Sequence, residues 1–468
     1  MRYISTRGDA PVLGFNDAIL AGLARDGGLY LPEEWPAFST AEIAALRGKP
    51  YQAIAFEVIR RFTGGEITDG DLERLIGEAY GTFRHPAVAP LVQLGANHFV
   101  LELFHGPTLA FKDVAMQLLA RMMDHVLAAR GARATIIGAT SGDTGGAAID
   151  AFKGRDRVDI AILFPDGKVS AVQRRQMTTI DAENVQAIAI EGNFDDAQAL
   201  VKAMFNDFGF RERVHLSGVN SINWGRIVAQ SVYYFSAALS LGAPDRAVSF
   251  TVPTGNFGNI FAGYVACRMG LPVEKLVVAT NVNDILHRTL ASGRYEVRDV
   301  SGTMSPSMDI QVSSNFERLI FEASGHSADE VRQDMAGLAQ SGAFTLAAPT
   351  IAAMRPLFDS GRANEKETAE QIRKTLDECG YLADPHTAVG LAVAAGHDTG
   401  TAPMITLATA HPAKFPDAVE AACGMRPDLP HWTGNLMEME EIYQVLPANL
   451  ETIEQAIENR SRAVRAES

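Results

Sequence analysis

His98-Phe99-Val100-Leu101-Glu102-Leu103-Phe104, then His105-Gly106-Pro107-Thr108-Leu109-Ala110-Phe111, then Lys112-Asp113-Val114-Ala115-Met116 reads as strand, turn and helix. The first seven residues form a short apolar run, and Gly106-Pro107 breaks it. From Val114 onward, Leu118, Leu119, Met122, Val126 and Leu127 recur at helical spacing. Lys112 therefore falls near a helix N-terminus, where unpaired N–H groups and the macrodipole disfavour a cation. Phe111 beside it suggests burial. Both effects lower an amine's pKa from about 10.4 toward neutrality. A neutral, buried lysine is what a Schiff base to an aldehyde requires. The competing reading is a lysine that snorkels to the surface beside Asp113. The motifs that surround it decide against that.

Working outward, the runs 134–138, 159–164, 185–190, 247–252, 276–280 and 403–408 are short, apolar and bounded by turns. The first five are each followed by a helical pattern. Strand-helix alternation predicts an open α/β fold with ligands at the carboxyl ends of strands. Residues 1–95 read as a mostly helical domain, 96–129 with 245–468 as a large domain, and 130–244 as a small α/β domain. The stretch 293–316 is rich in Gly, Ser, Thr and Met without periodicity, which predicts a long functional loop. Residues 327–382 read as amphipathic helix, and 436–468 as helical and charged.

The chain has 468 residues, enough for two or three domains, and its 47% hydrophobic and 21% charged content is that of a soluble folded protein. A net charge of -15 without a Lys/Arg run argues against a nucleic-acid partner. Cys267, Cys379 and Cys423 are far apart and form neither a disulfide framework nor a metal motif, so no metal is expected. Without a signal-like N-terminus or a bilayer-length apolar segment, the expected setting is cytoplasmic, away from membranes.

Two glycine-rich turns share one context, a strand before and a helix after. They are Thr140-Ser141-Gly142-Asp143-Thr144-Gly145-Gly146 and Pro253-Thr254-Gly255-Asn256-Phe257-Gly258-Asn259. Glycines let successive N–H groups converge on one anion at a helix N-terminus, so two cradles imply two anionic groups. Neither turn is a P-loop or a dinucleotide fingerprint. Ser141 is no nucleophile elbow, because Ala139 stands where that motif needs Gly. A third constellation, Thr409-Ala410-His411-Pro412-Ala413-Lys414-Phe415, follows the last buried strand. His411 alone reads as a structural histidine.

Together with Tyr3-Ile4-Ser5-Thr6-Arg7-Gly8 and Asp26-Gly27-Gly28-Leu29-Tyr30, these motifs resemble the threonine synthase family over nearly the whole length. Those are pyridoxal-phosphate enzymes of the tryptophan-synthase-β fold group. The resemblance implies PLP fold type II, with two open twisted sheets flanked by helices and an N-terminal helical region. It implies that Lys112 bonds the aldehyde of pyridoxal 5'-phosphate. Gly255, Asn256, Phe257, Gly258 and Asn259 would hold its phosphate, and Thr409 its pyridine nitrogen. Ser141, Gly142, Asp143 and Thr144 would receive the substrate carboxylate. Many relatives in the wider fold group carry Asn where Asp143 stands, and an ionised Asp donates no hydrogen bond. The implied reaction turns O-phospho-L-homoserine and water into L-threonine and phosphate, in a monomer or homodimer. Arg174, Arg175 and Arg226 are the candidates for the substrate phosphate. Rival readings are a dehydratase or phospholyase of the same fold, a silent cofactor-binding regulator, and a phosphate-binding protein.

Overall fold

Two mostly parallel sheets organise the chain in the computed structural model, which describes residues 1–397 and 400–467. The larger has six strands in the order Phe358–Arg362, Val273–Thr280, Val248–Pro253, Met404–Ala408, His98–Glu102 and Leu91–Gly95. Only Leu91–Gly95 runs antiparallel to its neighbour. The smaller sheet is wholly parallel, in the order Gln444–Pro447, Val185–Glu191, Val158–Pro165, Ala134–Ala139 and Leu216–Ser217. Val248–Pro253, Met404–Ala408 and Val158–Pro165 are buried at every position, as near-continuous apolar strands covered on both faces must be. The expected strands are therefore present, most shifted by a residue or two at their ends.

The helices Lys112–Ala129, Asp143–Phe152 and Trp224–Ser240 share one continuous core with strands of both sheets. The N-terminal helices Phe15–Ala21, Tyr51–Thr63 and Asp69–Tyr80 pack onto it. Trp224 anchors them, with ring centroids 5.8 Å from Tyr3, 5.7 Å from Phe62 and 6.0 Å from Trp35.

Three segments differ from expectation. Within 327–382 the helices Ala328–Ser341 and Glu365–Cys379 are separated by further elements, including the strand Phe358–Arg362. Gly342, at a φ of 69°, ends the first helix. The strand itself carries one large apolar residue because a sheet edge needs little apolar cover. In the C-terminal segment, Gln444–Pro447 is a mostly exposed edge strand paired with Val185–Glu191. That segment, read as helical and placed with the large domain, thus adds a strand to the smaller sheet. The loop 293–316 contains a short strand, Arg294–Glu296, and a single 3-10 turn, Pro306–Met308.

Candidate active site

Strand order assembles the site. Met404–Ala408 lies between Val248–Pro253 and His98–Glu102, so Thr409, the second glycine turn and the Lys112 turn leave the same sheet side by side at its carboxyl edge. Backbone bonds fix two of these to each other. Leu103 N–H donates to Ala408 O (3.0 Å), Phe111 N–H to Thr409 O (2.9 Å) and His411 N–H to Leu109 O (3.0 Å). Asp113 closes the turn from within, accepting from Thr108 N (2.8 Å) and Thr108 Oγ1 (2.5 Å). Leu109 holds the strained φ of 63° that the tight path demands.

Lys112 is the first residue of its helix and is buried. Its Nζ lies 3.4 Å from Asp143 Oδ2 and 3.5 Å from Ser307 Oγ. Burial pushes the amine below its ordinary pKa; Asp143 works against this, while the charges of Lys414 and Arg226 push the same way as burial. Asp143 opens the helix Asp143–Phe152 that follows the 134–139 strand, so it comes from the other sheet. Its Oδ1 accepts from Gln173 Nε2 (2.8 Å) and pairs with Lys414 Nζ (3.0 Å). Burial alone would raise this carboxyl, yet Lys414, Lys112 and Gln173 together hold it well below the usual carboxylate range. Asp143 is an anion here and accepts only, as its residue type foretells.

The second glycine turn is built differently. Its carbonyls face away: Ser313 Oγ donates to Gly255 O (2.7 Å), and Asn315 donates to Asn256 O through N (3.1 Å) and Nδ2 (2.9 Å). The N–H groups of Gly255, Asn256 and Phe257 have no hydrogen-bond partner among the described residues. Gly258 opens the helix Gly258–Arg268, and Phe257 before it has a left-handed φ of 63°. Any side chain at 255 would put its Cβ 2.7 Å from Ser307 O. Asn259 Oδ1 accepts from Tyr233 (2.5 Å) and Tyr234 (3.1 Å) hydroxyls, leaving its buried Nδ2 without a partner. Unpaired donors at a helix N-terminus with no acid among them fit a phosphate.

Of the other expected residues, Ser141 is exposed, Thr144 half-buried and Thr409 buried. Gly142 takes a φ of 147°, and the N–H groups of Gly142 (2.9 Å) and Gly145 (3.0 Å) go to Thr140 Oγ1. His411 accepts from Ala413 N (3.2 Å) and meets Phe104 edge-on, and burial pushes its imidazole down to about 4. Burial thus keeps it neutral, and its Nδ1 caps the 412–414 turn. The structure also separates the arginines. Arg174 is forked onto Glu441 (2.8 and 3.0 Å) and Arg175 donates to Met439 O (2.7 Å). Arg226 is buried, with Nη1 on Val219 O (3.3 Å) and Nε unpartnered.

Sequence reasoning missed Ser307, Gln173 and His386, and gave Lys414 no role. His386 Nε2 accepts from Ser307 N (3.2 Å) while its Nδ1 faces Asp384 Oδ1 (2.9 Å). The non-periodic 293–316 loop was the available signal for Ser307.

A buried lysine and a glycine turn with unpaired donors share the carboxyl edge of one sheet, and residues 83–361 match the family model for pyridoxal-phosphate dependent enzymes. Residues 2–80 match the threonine synthase N terminus and residues 387–457 the threonine synthase C-terminal region. The chain belongs to the threonine synthase family. It is 54% identical over 456 residues to the threonine synthase of Pseudomonas aeruginosa, with 97% of each chain covered. The solved PLP-bound threonine synthase of Brucella melitensis aligns with a TM-score of 0.97 and 66% identity, covering 99% of this chain and all of that one. Yeast threonine synthase aligns with a TM-score of 0.94 and 39% identity, over 100% of this chain and 99% of that chain. The cofactor is pyridoxal 5'-phosphate.

Proposed function

We infer that this chain converts O-phospho-L-homoserine and water to L-threonine and phosphate, the last step of threonine biosynthesis. The observation that carries the reading is the buried Lys112 amine between the Asp143 carboxylate and Ser307, whose carbonyl abuts Gly255 of the donor-lined 253–259 turn. Bound pyridoxal phosphate supplies an electron sink for the carbons next to the substrate nitrogen. The 255–259 turn and Asn259 Nδ2 would hold its phosphate, Lys112 would bond its aldehyde, and Thr409 would face its ring nitrogen. A hydroxyl there, unlike a carboxylate, does not strongly favour ring protonation.

Lys112, when free, is the base that moves protons at the substrate's Cα and Cβ. The unpaired N–H groups of Ser141 and Thr144, with their hydroxyls, receive the substrate carboxylate, and Gly142, whose own N–H is held by Thr140, lets the turn close around it. Asp143 cannot, because it is already an anion. Arg226 is the cation for the phosphate ester, as the one of the three candidate arginines that is both buried and unpaired at Nε.

We place the enzyme in the cytoplasm, as a monomer or homodimer with neither nucleic-acid nor membrane partner. A charge of -15 and three free cysteines support this, and among the described residues no helix is long and apolar enough to cross a membrane. As functional units we propose a helical N-terminal region, a large unit carrying Lys112, Thr409 and the phosphate turn, and a small unit carrying Asp143. Incubation with O-phospho-L-homoserine should yield threonine and phosphate in equal amounts. Phosphate with 2-oxobutyrate instead would move the chain to the phospholyase reading.

A further inference from the structure

Lys414 has no exposed surface, yet no part of the reaction described so far uses it. It ends the short turn Pro412–Lys414, and its ammonium reaches three separate segments. Nζ donates to Thr108 O (2.6 Å) on the Lys112 turn and to Gln176 Oε1 (2.8 Å), and pairs with Asp143 Oδ1 (3.0 Å). A lysine removed from water this completely is retained only where its charge and donors are met.

We propose that Lys414 is a positioning residue for the reaction: by pairing with Asp143 Oδ1 it leaves Oδ2 to orient the Lys112 amine without retaining that amine's proton. The proposal rests on Lys112 being the amine that bonds the cofactor. Charge balance within this buried cluster sets the direction. With Lys414 in place, Asp143 and Lys414 are electroneutral together when Lys112 is uncharged. Without Lys414, neutrality demands a charged Lys112, and an uncharged one strands a buried carboxylate. Lys414 therefore reverses which protonation state of Lys112 the site favours.

The remaining groups around the cluster keep that sign. Arg226 adds positive charge near Lys112. Asp113, next along the helix, turns its carboxyl onto Thr108, with Asp150 beyond it, and burial pushes Asp113 up to about 7. His386, on the far side of Ser307, takes the Ser307 N–H and is itself backed by Asp384. Gln173 occupies Asp143 Oδ1 beside Lys414, and Ser307 Oγ lies 3.5 Å from Oδ2.

The test is the pH dependence of the visible absorption of the cofactor-loaded enzyme, read with kcat and KM. Lys414→Gln keeps a donor for Thr108 O and removes the charge. Its spectral midpoint should move alkaline by about one pH unit or more, with kcat lower by about tenfold and KM changed far less. Lys414→Arg, which keeps the charge, should hold the midpoint near that of the parent. Asp143→Asn should move the midpoint the opposite way, toward acid, and this serves if Lys414→Gln fails to fold. A loaded Lys414→Gln enzyme with the parent midpoint and kcat overturns the proposal, as does an unmoved midpoint in Asp143→Asn. Borohydride trapping separates the underlying reading: an adduct mapped away from Lys112 defeats that reading, whereas an adduct on Lys112 with immobile midpoints defeats only the role of Lys414.

Discussion

The two glycine-rich turns share a local grammar and differ in chemistry. Both join a buried parallel strand to a helix, at 140–146 and at 253–259. The second holds no acid, turns its carbonyls onto Ser313 and Asn315, and keeps a buried amide donor at Asn259 without a partner. The first commits two of its N–H groups to Thr140 and buries a carboxylate, Asp143, between two lysines. One offers unpaired donors that suit a dianion. The other carries its own carboxylate, Asp143, which lies 3.4 Å from the Lys112 amine. Glycines therefore permit an anion site, and the neighbouring side chains decide which anion it can take.

Substituting each turn's key glycine should break the two apart. Gly255→Ala drives a Cβ to 2.7 Å from the Ser307 carbonyl, a backbone atom with little room to yield. Cofactor affinity should fall by about a hundredfold in equilibrium titration, roughly 2.7 kcal/mol. Gly142→Ala imposes a side chain at a φ of 147° against the Gln173 amide, and should raise substrate KM while leaving cofactor affinity within about twofold. Equal effects on both ligands in both variants would erase the distinction.

A milder probe is Asn259→Ala, which removes the unpartnered donor and should weaken cofactor binding by about tenfold, the worth of one charged hydrogen bond. Thr409→Val should leave cofactor affinity nearly intact and slow turnover by a few-fold; unchanged turnover would remove the hydroxyl from the account. The smallest effect lies outside both turns, at His411. Its imidazole stays neutral down to about 4 in the folded chain against about 6.5 unfolded. Between those values the unfolded chain binds the extra proton, so this group's stabilisation is present above about 6.5 and lost as pH falls toward 4. His411→Asn keeps an acceptor for the Ala413 N–H and should flatten that part of the acid denaturation curve, by at most about 3 kcal/mol.

Much of this was legible because buried parallel strands write themselves as apolar runs, and because Lys112 sits in a strand-turn-helix pattern that forces a cation to a helix start. Edge strands were not legible. Phe358–Arg362 and Gln444–Pro447 make backbone bonds on one side and need few apolar residues, so periodicity passes over them. Nor does local pattern mark Lys414 as buried. Lys414 reads like any surface lysine until the fold brings Thr108, Asp143 and Gln176 around it. Arg226 was distinguished from Arg174 only by burial and by the absence of a carboxylate partner.

All of these expectations depend on the Lys112 amine bonding the cofactor within reach of Asp143. The most direct measurement is borohydride reduction of the cofactor-loaded protein followed by peptide mass mapping. The account requires the reduced adduct on Lys112, and its complete loss, with turnover, in Lys112→Ala. A reducible adduct on another lysine, or one that persists in Lys112→Ala at the parent level, would contradict it.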